Sequence, residues 1–345
     1  RVAIGQEYGF KPGEPVTGKL VAGLRRLGFD KVFDTDFSAD LTIMEEGHEL
    51  VERVKAGKNL PILTSCCPGW INFLEHHYPD LLDIPSSCKS PQQMFGAIAK
   101  TYYAEKIGVK PEDLVVVSIM PCQAKKYEAA RPEFAPNGVW DVDYVVTTRE
   151  LGAMLHEAGV NLANLEDEAY DSPLGESTGA GVIFGVTGGV LEAALRSVHT
   201  MLTGENLAGD AINFRAVRGL DGVKEAKVEV APGMTVNVAI ASGLGNARKV
   251  LDMVRADRNR FQAIEIMACP GGCINGGGQP YIREDRKGTL ERRMEGLYAE
   301  DAGKPCRLSH ENPDIKKLYE EFLGEPGSEK AHHLLHTVYH NNPRA

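Results

Sequence analysis

The chain has 345 residues, 43% hydrophobic and 25% charged, enough for one large domain or two lobes around a shared crevice. Its net charge is −10 and no basic cluster stands out, which argues against a nucleic-acid partner. No run of about 18 apolar residues is present, which argues against a membrane span.

In chain order, Arg1 to Ile4 reads as a strand. The chain starts there without Met, as a trimmed fragment would, so any leader or preceding domain lies outside it. Thr17 to Gly28 reads as an amphipathic helix and Lys31 to Asp34 as a short strand. Ala39 to Ala56 reads as a longer helix, with Leu41, Met44, Leu50, Val51 and Val54 on its apolar side. Its polar face carries Glu45, Glu46, Glu49, Glu52 and Arg53, and by spacing alone that is a solvated surface. Further helices are expected at Trp70 to Tyr78, Pro91 to Lys106, Thr148 to Glu157, Val190 to His199 and Asn246 to Arg255. Strands are expected at Leu60 to Leu63, Val115 to Ile119, Tyr144 to Val146, Thr235 to Ala241 and Ile264 to Met267. The glycine-rich stretch Gly175 to Gly189 has the wrong spacing for a dinucleotide fingerprint and reads as close backbone packing. After Pro280, polar-faced helices are expected at Thr289 to Asp301, Asp314 to Phe322 and Glu329 to Tyr339. The alternation predicts an α/β fold of two lobes, with mainly parallel twisted sheets flanked by helices.

Three of the strands run into cysteines. Leu60–Leu63 leads to Cys66 and Cys67, Val115–Ile119 to Cys122, and Ile264–Met267 to Cys269 and Cys273. Ligands in α/β folds sit beyond the carboxyl ends of strands, so five thiols from three distant segments should converge. Soft thiolates suit iron–sulfur chemistry or zinc. Adjacent cysteines on a loop point apart, which gives Cys66 and Cys67 different jobs. Pro270 and its glycines break any helix at Cys269-Pro270-Gly271-Gly272-Cys273. Gly276, Gly277 and Gly278 let backbone approach a bulky ligand. Seven cysteines, an odd number grouped by motif, favour a reducing compartment such as the cytoplasm over disulfides.

Thr64-Ser65-Cys66-Cys67-Pro68-Gly69-Trp70, Met120 to Glu128 and Glu265 to Gln279 resemble the three active-site signatures of the [FeFe]-hydrogenases. These are T-S-C-C-P-x-W, M-P-C-x-x-K-x-x-E and E-x-M-A-C-x-x-G-C-x-x-G-G-G-Q, and every fixed position is filled. The resemblance implies reversible conversion of two protons and two electrons into H2 at an H-cluster in the crevice between the lobes. That cofactor is a [4Fe–4S] cubane joined to a diiron subcluster with CO, cyanide and azadithiolate ligands. By resemblance Cys67, Cys122, Cys269 and Cys273 hold the cubane, and Cys273 bridges to the diiron unit. Cys66 becomes the proton donor, with Glu46, Ser86, Glu49 and Arg53 continuing the route. Lys125 would bond an iron-bound cyanide, balanced by Glu128. Pro91, Gln92, Met120, Phe184 and Met267 fit positions packed around the diiron unit.

The resemblance divides the chain into a catalytic domain, 1–280, and a fused helical segment like a small subunit, 281–345. It implies dedicated maturases and an electron carrier such as ferredoxin or an NAD(P)-linked subunit. Family members carry a short segment just upstream of Arg1, and many carry ferredoxin-like domains. A non-catalytic Nar-type iron–sulfur assembly protein and a sensory hydrogenase share the fold but tend to lack the Cys66 thiol. Cys88 reads as structural and Cys306 as an incidental thiol. His332 and His336, four apart, read as ordinary helix residues despite a metal-compatible spacing.

Overall fold

The computed structural model describes residues 1–342. Helix α1 (Thr17–Arg26) precedes α2 (Thr35–Ala56). Asp34 caps α2 by accepting the Asp36 N–H, and Gly57, at φ 61°, ends it in the left-handed region that favours glycine. Strand β1 (Ile62–Leu63) runs into α3 (Pro68–His77), and α4 (Pro91–Ile98) continues through a π-helical turn, Ala99–Tyr103, to Ile107. The other strands are β2 (Val117–Met120), β3 (Tyr144–Thr147), β4 (Val223–Ala231), β5 (Met234–Ser242) and β6 (Ala263–Met267).

Two sheets result, one ordered β1-β6-β5-β4 and one pairing β2 with β3. The pairs β1–β6, β5–β6 and β2–β3 are parallel, and β4–β5 is an antiparallel hairpin at the edge. The chain is therefore α/β with mainly parallel sheets. The central strands of the larger sheet are buried on both faces. Trp70, Ile71 and Leu74 of α3 cover one face with Val250, Leu251 and Val254 of helix Leu244–Ala256. Leu50 and Val51 of α2 cover the other with Leu191, Leu195 and Val198 of helix Gly189–Thr203. Central strands covered this way read as continuous apolar runs, as Ile240, Ile264 and Ile266 do.

Three expected elements differ in the structure, and one strand was not expected. Arg1 to Ile4 is not a strand: Val2 O and Arg1 O accept from Gly13 N and Val16 N, so no ladder forms, and Ile4–Tyr8 is a 3-10 turn. Lys31 to Asp34 forms no strand either, because Val32 N donates to the Asp171 side chain and Val32 O accepts from Asp171 N. Strand β4 was not expected, since Lys224, Glu225, Lys227 and Glu229 dilute its apolar signal. The last helix ends at Leu335, because the following residues run extended against 86–88, with Thr337 N donating to Ser87 O at 2.7 Å.

Among the described residues, the segment after Pro280 has no separate core. Ile315, Leu318, Leu323 and Leu335 share one with Phe37, Leu41, Met94 and Ile98. Buried ion pairs tie it down: Asp301, on helix Arg286–Gly303, holds the fully buried Arg196 at 2.9 Å. Asn312 and Ser309 donate to Asp40 at 2.9 and 2.7 Å.

Trp70 is fully buried and its Nε1 donates to Thr64 O at 2.9 Å, which fixes the turn leaving β1. Trp70→Ala should lower stability by about 3–5 kcal/mol, read from the shift in denaturant midpoint. A loss under about 1 kcal/mol would contradict the packing described here.

Candidate functional site

The loop after β1 is built by its own sequence. Thr64 Oγ1 accepts from Ile266 N of β6 at 3.2 Å, joining the strands side by side. Ser65 Oγ donates to Cys88 O at 2.8 Å. Cys67 is the extended residue before α3, and Pro68, which needs no N–H partner, opens the helix. Cys67 Sγ accepts from Ala268 N at 3.4 Å, one residue before Cys269.

The cysteines come from both sheets. Cys122 follows β2, whereas Cys67 and Cys269 follow β1 and β6. Glycines allow the loops to meet: a Cβ on Gly276 would lie 2.1 Å from Pro121 O, and one on Gly278 2.9 Å from Pro121 C. Gly278 N donates to Pro121 O at 2.9 Å. The glycine run therefore serves loop-on-loop contact, not only room for a ligand. Gly272, at φ 96°, crosses close to Thr187 N and the Met267 sulfur.

Cys67, Cys122, Cys269 and Cys273 are near enough for each thiolate to raise the pKa of a neighbour, and none forms a disulfide. Burial pushes Cys269 up to about 11 and Cys273 well above the usual thiol range. Bare thiolates there are unfavourable, and a bound cation reverses that preference. Among the described residues no three of these sulfurs lie within 4.8 Å of one another. A single tetrahedral zinc needs sulfurs about 3.8 Å apart. The donor set therefore fits a wider, multi-iron cluster better than one ion.

Lys125 is buried beside them and donates to Cys66 O at 3.0 Å and to Glu128 at 2.9 Å. Glu128 also accepts from Ser90 Oγ and Gln92 Nε2, and Gln92 Oε1 accepts from Ser118. Desolvation opposes the Lys125 charge, but Glu128 more than offsets it and raises its pKa. Met120 and Met267 close β2 and β6 just before the cysteine loops, and Pro91 opens α4 between Ser90 and Gln92, both of which bond Glu128. Phe184 packs against Ile43, Ala180, Ala193 and Ala194, on a turn that touches residues 273–275.

Most of the acidic face of α2 is not solvated, with Glu52 the exposed exception. Glu45 and Glu46 are 1% and 5% exposed. Burial, then the Glu49 charge, pushes Glu46 up to about 8, so it is a carboxylic acid at neutral pH. Its Oε1 has no partner, and Ser86 reaches the same carboxyl. Ser86 Oγ donates to Glu49 Oε2 at 2.9 Å. Glu49 takes Arg53 at 2.6 Å, and Arg53 donates to Ile84 O, Pro85 O and Asn59 O. Burial, then Glu46, raises the Cys66 thiol far above its usual range, which keeps it neutral. Cys66, Glu46, Ser86 and Glu49 thus follow one another from the cysteine loop outward to the half-buried Arg53.

Two features were not legible in advance. Glu265 lies in the otherwise apolar β6, fully buried, and accepts from Gly188 N and Leu191 N at the start of helix Gly189–Thr203, where a helix N-terminus favours an anion. The carboxylate inside an apolar strand was its signal. His336 is not an ordinary helix residue: its Nδ1 is 2.7 Å from Ser87 Oγ and its Nε2 3.0 Å from Glu45.

Residues 1–277 match the family model for the C-terminal domain of the iron-only hydrogenase large subunit, and 287–342 match iron hydrogenase small subunit. The chain is 59% identical, over its whole length, to a subunit of an NADP-reducing hydrogenase from Solidesulfovibrio fructosivorans. Over 98% of its length it is 45% identical to iron hydrogenase 1 of Clostridium pasteurianum. It spans 59% of the length of each of these relatives. An apo [FeFe]-hydrogenase structure from Chlamydomonas reinhardtii superposes with a TM-score of 0.87 at 45% identity, covering 100% of this chain and 92% of that one.

Gly276→Ala should push the Cys122 and Cys273 loops apart, since its Cβ has no room beside Pro121. Iron bound per chain should fall at least about twofold, because losing one thiolate ligand leaves an iron uncoordinated. Full iron content would contradict the loop-on-loop role.

Proposed function

The chain belongs to the iron-only hydrogenase family, and on that premise we propose that it catalyses the reversible reduction of protons to H2. Cys67, Cys122, Cys269 and Cys273 would hold a [4Fe–4S] cubane, with Cys273 shared by a diiron unit. When bound, that H-cluster, with its CO, cyanide and azadithiolate ligands, supplies the redox chemistry. Lys125, charged and held by Glu128, offers a donor toward an anionic ligand. Pro91, Gln92, Met120, Phe184 and Met267 would shape the pocket.

The observation that carries this reading is the thiol left over. Cys66 sits beside a ligand cysteine but is neutral and close to Glu46, itself a neutral acid at pH 7. A neutral thiol is cheaper to bury than a charge, and it can give a proton inward and take one from Glu46. Glu46 is resupplied through Ser86, whose hydroxyl accepts and donates in one step, from Glu49. Arg53 holds Glu49 in place and marks the outer end of the route.

Residues 281–345 are read as a fused small-subunit-like segment on a catalytic unit of 1–280. Electrons would come from ferredoxin or an NAD(P)-linked subunit, and the NADP-reducing relative supports the latter. All seven cysteines are free, which fits a reducing compartment such as the cytoplasm.

Produced without dedicated maturases, the protein should bind one [4Fe–4S] cluster and be inactive, then gain activity on addition of a diiron complex. Stoichiometric zinc in place of iron would sink the assignment.

Cys66→Ala should keep iron content and infrared CO and cyanide bands while turnover falls on the order of 10²–10⁴-fold. Cys66→Asp should recover part of it, since a carboxylic acid still carries a proton. Full activity in Cys66→Ala would remove the proposed donor.

A further inference from the structure

The outer end of the proton route adjoins a second group of metal-competent side chains. One ligand atom each of Glu49, Cys88 and His336 lie within 4.8 Å of one another. We infer that these three residues form a site for a thiophilic divalent cation of the zinc class, and that an ion there stops proton transfer. The second half of this inference rests on the relay through Glu49 proposed above.

Two of the three ligands are held on paired backbone. Cys88 and His336 form an antiparallel bridge, flanked by Thr337 N donating to Ser87 O at 2.7 Å and Lys89 N to Leu335 O at 2.8 Å. The third, Glu49, has its Oε2 3.9 Å from Cys88 Sγ. Ser87 Oγ lies between them, 3.1 Å from Glu49 Oε1 and 2.7 Å from His336 Nδ1. Ligands on one zinc ion stand about 3.3–3.8 Å apart, a contraction that side-chain rotation of Glu49 and His336 supplies. The mixture of thiolate, imidazole and carboxylate suits zinc or cadmium, and not magnesium or calcium, which need oxygen cages.

The surroundings favour a cation. Glu45, Glu46 and Glu49 face the cluster together with the phenols of Tyr319 and Tyr339, and Arg53 is the guanidinium beside Glu49. Glu45 orients the imidazole through Nε2, as carboxylates behind metal-bound histidines do. Binding forms a metal–sulfur bond and releases the Cys88 thiol proton to solvent, so affinity rises with pH. A water fills the fourth position, as at open zinc sites. The ion occupies the Glu49 carboxylate, which can then no longer exchange protons with Ser86. Cys88 has no part in the relay.

The test uses the matured protein, whose cluster cysteines carry iron, titrated with Zn2+. Absorption at the zinc edge should report one ion with one sulfur neighbour. H2 evolution should fall at least tenfold while the infrared CO and cyanide bands stay unchanged. Cys88→Ala, or Cys88→Val if the cavity weakens the fold, should retain basal turnover and need at least tenfold more Zn2+ for the same inhibition. Zinc without a sulfur neighbour, equal sensitivity in the Cys88 variants, or loss of the infrared bands would each overturn the site. A sulfur-bound zinc with undiminished turnover would leave the site standing and overturn the relay through Glu49.

Discussion

A two-residue strand, β1, carries much of the organisation around the site. On one side Ile62 N and Thr64 N donate to Gln262 O and Ile264 O of the β6 segment. On the other, Leu63 N donates to Ile84 O, and Leu63 O accepts from Ser86 N at 2.7 Å. One short run of backbone therefore aligns Cys66 and Cys67 with Cys269 and fixes Ser86 beside them. A strand this short contributes few hydrogen bonds, so its place is held by packing. Leu63 is fully buried, among Trp70, Leu74, Ile264 and Ile266. Cys66, Cys67 and Ser86 belong to one arrangement because their backbone is tied to this strand.

Burial turns these groups into chemistry. Acids and thiols in water at pH 7 are charged carboxylates and half-hearted nucleophiles. Enclosed here, Glu46 is pushed up to about 8 and Cys66 far higher, so both are neutral at pH 7. An unpaired buried charge costs several kcal/mol, and the neighbouring carboxylates are each partnered: Glu49 by Arg53, Glu128 by Lys125, and Glu45 by hydrogen bonds from Tyr319 and Gly327 N. The enclosure comes from residues late in the chain. Tyr319 and Gly327 N bond Glu45, His336 meets Ser87, and Tyr339 OH donates to Ser86 O at 2.7 Å.

That dependence explains what could be read from the sequence and what could not. The cysteines were legible because each follows an apolar run, and periodicity finds such runs. The α/β alternation was legible for the same reason. The burial of Glu45 and Glu46 was not legible from spacing, since a helix face of glutamates looks solvated until Tyr319 and His336 are laid over it. The resemblance to a family supplied an expected role for Glu46 and none for Glu45. Arg1 to Ile4 misled because an apolar run reads as a strand whether or not another strand is there to pair with it. Strand β4 was missed for the opposite reason, its alternate positions being charged at an exposed edge. His336 was weighed only against His332, its helical neighbour, whereas its partners are Ser87 and Glu45, about 250 to 290 residues away in sequence.

The neutrality of Glu46 beside the Cys66 thiol is the point on which the account turns. Infrared difference spectra between the H2-reduced and oxidised protein, taken in H2O and D2O, read it directly. A carboxylic-acid band should appear or shift with redox state, move in D2O, and vanish in Glu46→Gln. If no carboxylic-acid band changes, or the Glu46→Gln spectrum matches that of the unaltered protein, then Glu46 carries no proton and the route lies elsewhere.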